Sequence, residues 1–205
     1  MADYQALVLA AGLSRRMGRP KLAREWEGRP VLAWTVERIR RLLPDVGLVV
    51  VAPPSGPVLE LARTLPVRTV INPTPEAGVG RSLAVGLGAL EAAAALVFLG
   101  DEPDVSAAGV ARVLEVSAAP DLDVVLPRYR GVPGHPVYVS RALWPELLQL
   151  TGDRGVRAVL DAWPPGRWRD VDVDDDAVAD LDTEADWTAW TQRRRRAGAE
   201  EHGDA

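Results

Sequence analysis

Short runs of valine and leucine, each four to six residues long, alternate along this chain with longer segments of helical periodicity. That alternation is the pattern of βα units wound around a mostly parallel sheet, and the fold class follows from it. The expected strands are Ala6 to Ala10, Gly47 to Ala52, Arg68 to Ile71, Ala95 to Leu99 and Asp123 to Leu126, with a late strand in Trp168 to Val173. Several are apolar on both faces, as strands buried between two helical layers must be. Between them the periodicity predicts helices over Pro30 to Leu43, Val58 to Leu65, Arg81 to Ala93, Ala107 to Ser117, Arg141 to Leu150, Val156 to Ala162 and Thr183 to Gln192. Gly131 to Ser140 begins with turn residues and ends in alternation, which predicts a loop leading into one antiparallel strand.

No proline or glycine cluster is long enough to divide the chain, so 205 residues imply one domain over 1–192. From Arg193 the sequence RRRRAGAEEHGDA has a charge run without apolar periodicity, the signature of a disordered tail over 193–205. A net charge of −5 argues against a nucleic-acid binder, because phosphate backbones are gripped by basic surfaces. The absence of cysteine excludes disulfides, thiolate metal sites and a cysteine nucleophile. With no signal-peptide pattern and no run of about 18 apolar residues, the expectation is a cytoplasmic protein without a membrane partner.

In an open parallel sheet, ligands sit beyond the carboxyl ends of the strands, so the loops there carry the chemistry. After the first strand comes AAGLSRRMGRPK. Ala10, Ala11 and Gly12 make a small-residue turn that lets a base or ribose approach the backbone. Arg15, Arg16, Arg19 and Lys21 then gather four positive charges in an acidic protein. The segment is neither a GxxxxGK[ST] phosphate loop nor a GxGxxG fingerprint, and solvated arginines on a plain βα turn give the same composition. Lys21 weighs against that plainer account. The chain has 23 arginines and this one lysine, so whether codon bias or heat adaptation drove the exchange, position 21 resisted it.

After the fourth expected strand comes LGDEP, where Asp101 is placed to hold Mg²⁺ through one or two oxygens, or merely to form the turn. Glu102, with a longer side chain, is expected to face solvent. NPTPEAGVGRSL is a glycine-punctuated loop, containing Asn72 and running into a helix at Ser82, suited to cap a nucleotide. GVPGHP holds Gly134 and His135, the latter a general base or, more simply, a structural histidine in a proline-flanked turn. In TGDRGVR, Asp153 is explained as a helix cap. Seven aspartates lie between Asp170 and Asp182; most form an acidic loop, while Asp182 stands where a strand end passes into a helix and can bring a second carboxylate to a metal.

Taken in order, LAAGLSRRMGRPK, NPTPEAGVGRSLAVGL, LGDEP, GVPGHPVYVS, GDRGVRAVL and DLDTEADW resemble the MobA-like nucleotidyltransferases, and most closely the molybdenum cofactor cytidylyltransferases, from about Leu7 to Trp187. The resemblance implies a Rossmann-like α/β fold of three layers, whose mostly parallel sheet includes at least one antiparallel strand. It implies nucleotide binding by Leu9, Ala10, Ala11, Gly12, Ser14, Lys21, Asn72, Ser82 and Asp101, catalysis by Lys21, Arg15 and Asp101, and metal on Asp101 and Asp182. Gly134 and His135 would meet the acceptor. The cofactor is then Mg²⁺, with Mn²⁺ able to substitute. The substrates are CTP, since LAAG replaces the LAGG associated with guanine, and a phosphorylated acceptor of molybdopterin type. A molybdoenzyme or its chaperone is the implied protein partner. The motifs leave GTP, a sugar-phosphate acceptor or a nucleotide-binding module without turnover as alternatives. Asp172-Val173-Asp174, the DxD of metal-dependent glycosyltransferases, lies too near the C-terminus and arises easily in so acidic a loop. Glu102, where a hydrophobic residue is common, and DLDT in place of DIDT depart from the family pattern.

Overall fold

The computed structural model describes residues 3–12, 20–175, 181 and 183–202. From the N-terminus they form β1 (Tyr4–Leu9), a 3-10 turn (Lys21–Ala23), the two-residue strands β2 (Glu25–Trp26) and β3 (Arg29–Pro30), α1 (Val31–Leu42), β4 (Leu48–Ala52) and α2 (Pro57–Thr64). Next come β5 (Arg68–Ile71), a 3-10 turn (Pro75–Ala77), α3 (Val79–Gly88), β6 (Ala94–Leu99), α4 (Ala107–Ser117), β7 (Val124–Tyr129), β8 (Val132–Pro133) and β9 (Val137–Ser140). The chain continues through a 3-10 turn (Arg141–Leu143), α5 (Trp144–Leu147), α6 (Arg157–Leu160), β10 (Trp168–Val173) and α7 (Glu184–His202).

The main sheet runs β5-β4-β1-β6-β9-β7-β10, with β8 as a hairpin partner of β7. All pairings along it are parallel except those of β9, which lies antiparallel between β6 and β7. The fold is therefore the expected Rossmann-like α/β arrangement with an antiparallel strand. Alternate residues along β1 serve opposite faces, as the strand period of two requires. Ala6 and Val8 join Leu32, Val36, Ile39, Val110 and Trp190 in one core; Leu7 joins Leu83, Leu87, Trp144 and Leu147 in the other.

Several helices differ from their expected bounds. The segment expected to be helical to Ala93 leaves its helix at Gly88, because Gln5 Oε1 accepts hydrogen bonds from the backbone N–H groups of Glu91 and Ala92 at 2.9 and 3.2 Å and turns the chain into β6. Arg141 to Leu150 resolves into a 3-10 turn and the short α5. The β2–β3 hairpin has no counterpart in the sequence reading; two-residue strands are too short to alternate, and its turn is made by Glu27 and Gly28 at φ 51° and 72°.

The largest correction is at the C-terminus. Residues 193–202, expected to be disordered, continue α7. Trp187, Trp190, Thr191 and Arg194 recur at helical spacing on its inward face; Trp190 is 1% exposed, and Arg194 is ion-paired to Asp104 at 2.6 Å. The arginine run hid this because its anchoring face comes from tryptophans upstream, and its partner Asp104 is 90 residues distant.

Candidate active site

Leu9 and Leu99, the last residues of β1 and β6, are register partners. The backbone N–H of Gly100 donates to Leu9 C=O at 3.0 Å, so the two following loops leave the sheet side by side. β1 is also where the chain changes direction across the sheet, with β4 on one side and β6 on the other, the usual crevice for a ligand. Here the lysine loop and the LGDEP turn meet: Lys21 Nζ is ion-paired with Asp101 Oδ2, across 80 positions of sequence. Both side chains are mostly buried, 18% and 12% exposed, so the pair is only weakly screened by water.

The pair lines a cavity of about 640 Å³, together with Leu9, Ala11, Gly12 and Ser82. Ala11 is enclosed, while the position a Cβ would take on Gly12 meets no atom within 4 Å, so the backbone there is open to a ligand. Ala10 is buried beneath the turn and its N–H donates to Val51 C=O at 2.9 Å; it holds the turn to the sheet. Asn72 is likewise enclosed. Its Nδ2 donates to Ser82 Oγ at 3.0 Å and its Oδ1 accepts from Thr74 N–H at 3.0 Å, so Asn72 braces the hydroxyl that lines the cavity. Ser14, Arg15 and Asp182 lie outside the described residues, as do Arg16 and Arg19.

The opposite wall joins two loops far apart in sequence. Gly78, at φ +91°, sits so close to Gly152 that a Cβ would lie 2.3 Å from the Gly152 carbonyl carbon. Only glycine fits there. Gly152 N–H donates to Ala77 C=O at 2.7 Å and Gly80 N–H to Gly152 C=O at 3.0 Å, which brings Glu76, Thr151 and Asp153 to the cavity. Asp153 is thus a lining residue. It does not cap α6, which begins at Arg157 after Val156 and has no side-chain cap.

A second cavity, of about 380 Å³, adjoins the first across Leu9, Val79 and Leu99. Its walls are mainly apolar, from Leu83, Val97, Leu126 and Val137, with His135 and Arg157 as its polar members. Gly134 lies against the Tyr129 ring, 2.6 Å from where its Cβ would be, and Tyr129 O–H donates to His135 C=O at 2.6 Å. Burial raises the Tyr129 phenol far above its ordinary range, aided by the negative charges of Glu102 and Asp175 and opposed by a hydrogen bond with Ser106. Glu102 does not face solvent as expected. Its side chain is 5% exposed and its Oε1 is 2.7 Å from His135 Nδ1. With Glu102 ionised, its carboxylate only accepts and Nδ1 is then the donor. No signal within LGDEP marks this pairing, since the partner is 33 residues away.

Among the described residues no three carboxylate or imidazole side chains gather into a metal cluster. The donor set still suits Mg²⁺, which keeps several waters and is held by one or two carboxylates plus substrate phosphates rather than by a protein cage. Asp101, which lines the cavity, would supply that carboxylate.

A model of the MobA-like NTP transferase domain matches residues 6–169. The molybdenum cofactor cytidylyltransferase of Escherichia coli (strain K12) is 23% identical over 194 residues, 94% of this chain and 98% of that protein. The crystal structure of Rv0371c from Mycobacterium tuberculosis H37Rv superposes with a TM-score of 0.78 at 28% identity, over 93% of this chain and 98% of that one. The complex of Rv0371c with manganese gives 0.74 at 28% identity, over 93% and 99%. Because the match runs from β1 into β10, and so takes in both strand ends from which Lys21 and Asp101 are presented, the chain belongs to the MobA-like NTP transferase family and is a nucleotidyltransferase.

Proposed function

We propose that the protein transfers CMP from CTP to the terminal phosphate of a molybdopterin-type acceptor, releasing pyrophosphate. The observation that carries this is the Lys21–Asp101 pair in a cavity whose Ala11–Gly12 floor is open to a nucleotide. The nucleophile is an acceptor phosphate oxygen, already anionic at neutral pH. It forms a bond to the α-phosphorus as the bond from that phosphorus to the bridging oxygen breaks, and pyrophosphate departs with the electron pair. No general base is needed, so His135, held by Glu102, has no proton to take. The protein's task is to align two anions and offset the charge that builds on the α-phosphate and the leaving group.

Lys21 suits that task because an ammonium is a compact point charge on a flexible stem, whereas a guanidinium is a broad planar fork with a set approach. Asp101 would hold Mg²⁺, which neutralises triphosphate charge when bound. Ser82, braced by Asn72, offers a hydroxyl to the nucleotide. The adjoining cavity, with Gly134 and His135 in its wall, is where the acceptor would sit; its apolar lining suits a ring system better than a hydroxyl-rich sugar.

The test is pyrophosphate release by the purified protein with each of the four nucleoside triphosphates, with and without a molybdopterin-type acceptor. Release that needs both CTP and acceptor is expected. GTP used as well as CTP would refute the donor assignment, and release with a sugar phosphate instead would refute the acceptor.

A further inference from the structure

The C-terminal helix touches both segments that carry the catalytic pair. Three residues beyond Lys21, Arg24 Nη1 lies 2.7 Å from Glu184 Oε1 and its guanidinium stacks 3.9 Å from the Trp187 ring centroid. Three residues beyond Asp101, Asp104 Oδ1 lies 2.6 Å from Arg194 Nη1. The Arg194 guanidinium also sits 4.4 Å from the Trp34 centroid and 5.4 and 5.6 Å from those of Trp26 and Trp190. At the near end of the helix, Leu181 N–H donates to Asp101 C=O at 3.3 Å. Glu184 and Arg194 are ten positions apart on α7, roughly 15 Å along its axis. One rigid rod therefore spans the lysine segment and the aspartate turn.

We propose that α7 sets the distance between Lys21 and Asp101, and that Arg194 is the positioning residue through which it does so. Core packing explains Trp190, but it does not require a guanidinium; what it leaves unexplained is Arg194, 27% exposed, reaching out of the aromatic cluster to the carboxylate that follows the catalytic turn. The turn has other holds, from Thr35 O–H to Gly100 C=O at 2.8 Å and from Arg38 Nε–H to Val105 C=O at 2.9 Å, and both come from α1. Those contacts fix the turn against α1. The Arg194–Asp104 contact ties it to the helix that also holds Arg24, so it couples the two halves of the pair. Arginine suits the place, since its flat face stacks on indole rings while its edge reaches the carboxylate.

Lys21 is the only lysine in the chain, so protein made with lysine ¹³C-labelled at Cε gives one side-chain resonance, that of Lys21. Its position in the wild type and in Asp101→Asn defines the paired and unpaired limits. Arg194→Ala is expected to move the resonance at least halfway to the unpaired limit. Asp104→Ala breaks the same contact from the turn side, leaves the tryptophan packing intact, and is expected to do the same; the double variant should add little, as two changes to one contact do. Well below the unfolding midpoint, pyrophosphate release should show kcat lowered about tenfold with the nucleotide KM within about twofold, the effect of a change remote from the chemistry that slightly misplaces a catalytic group. A wild-type resonance in folded Asp104→Ala would overturn the inference whatever the kinetics. The kinetic arm rests on the transferase proposal: if the wild type released no pyrophosphate with any donor while the resonance moved, that proposal would fail and the coupling would stand.

Discussion

At Lys21, replacement by arginine keeps the charge and changes its shape. Lys21→Arg is expected to keep the fold, seen in an unchanged circular dichroism spectrum, and to lose on the order of 10²-fold in turnover, because a fork cannot follow a phosphate oxygen as an ammonium does. Near-normal pyrophosphate release would remove the reason offered for the retained lysine. The Asp101 carboxylate is set off from the acidic loop before α7 by its surroundings: it lines the cavity, whereas Asp174 is exposed. Asp101→Ala should therefore abolish Mg²⁺-dependent turnover and Asp174→Ala should leave it intact; equal losses would mean that bulk acidity, and not a site, is responsible. Mn²⁺ should replace Mg²⁺, since both accept octahedral oxygen ligands. Ala11→Gly removes a buried methyl from the cavity floor and should narrow the preference for CTP over GTP without reversing it, measured as the ratio of kcat/KM for the two.

At the scale of elements, one wall of the cavity is held by loops stitched to one another. Gly78 combines a φ of +91° and a ψ of 177° with backbone contact against Gly152, so Gly78→Ala meets both strain and collision. The backbone strain alone costs about 1–3 kcal/mol. In a chain of this size that lowers the melting temperature by roughly 2–4 °C per kcal/mol. Because the strained wall faces the cavity proposed to hold the nucleotide, calorimetry should also show weaker CTP binding. A variant that melted early yet bound CTP normally would separate the loop's stability from its role in the site.

Across the whole molecule, the far edge of the sheet is tied down by two arginine-paired carboxylates, the buried Asp123 and the half-buried Asp170. Burial works against charge on Asp123, but hydrogen bonds from Arg167, Ser140 and Trp163 outweigh it and hold its carboxyl below the usual range. Asp170 is lowered in the same way by Arg157 and Arg128. Both groups bind protons more readily in the unfolded chain, so their stabilisation is present in full above the unfolded carboxylate pKa of about 4 and is lost as pH falls through the lower folded values. Urea denaturation across a pH series should show stability falling below about pH 4. Asp123→Asn should flatten part of that fall and cost about 2 kcal/mol at pH 7, the scale of hydrogen bonds to a charged group. An unchanged acid profile would mean that Asp123 contributes no linkage.

Alternation of apolar runs with helical periodicity was enough to place the strands β1, β4, β5, β6, β7 and β10 to within three residues at either end, most directly for the central strands, which are buried and apolar over nearly their whole length. Turn chemistry likewise foretold the antiparallel β9, and the position of strand ends marked Lys21 and Asp101 as neighbours before any contact was known. What the linear sequence could not express was pairing across distance. Glu102 reads as a surface residue until His135 comes to it; Asp153 reads as a cap until Gly152 packs under Gly78; Arg194 reads as part of a disordered charge run until Asp104 and three indole rings enclose it. In each case the residue's place depends on a partner 33 or more residues away, supplied by the closed tertiary fold, whereas strand and helix patterns arise from neighbours within a few positions.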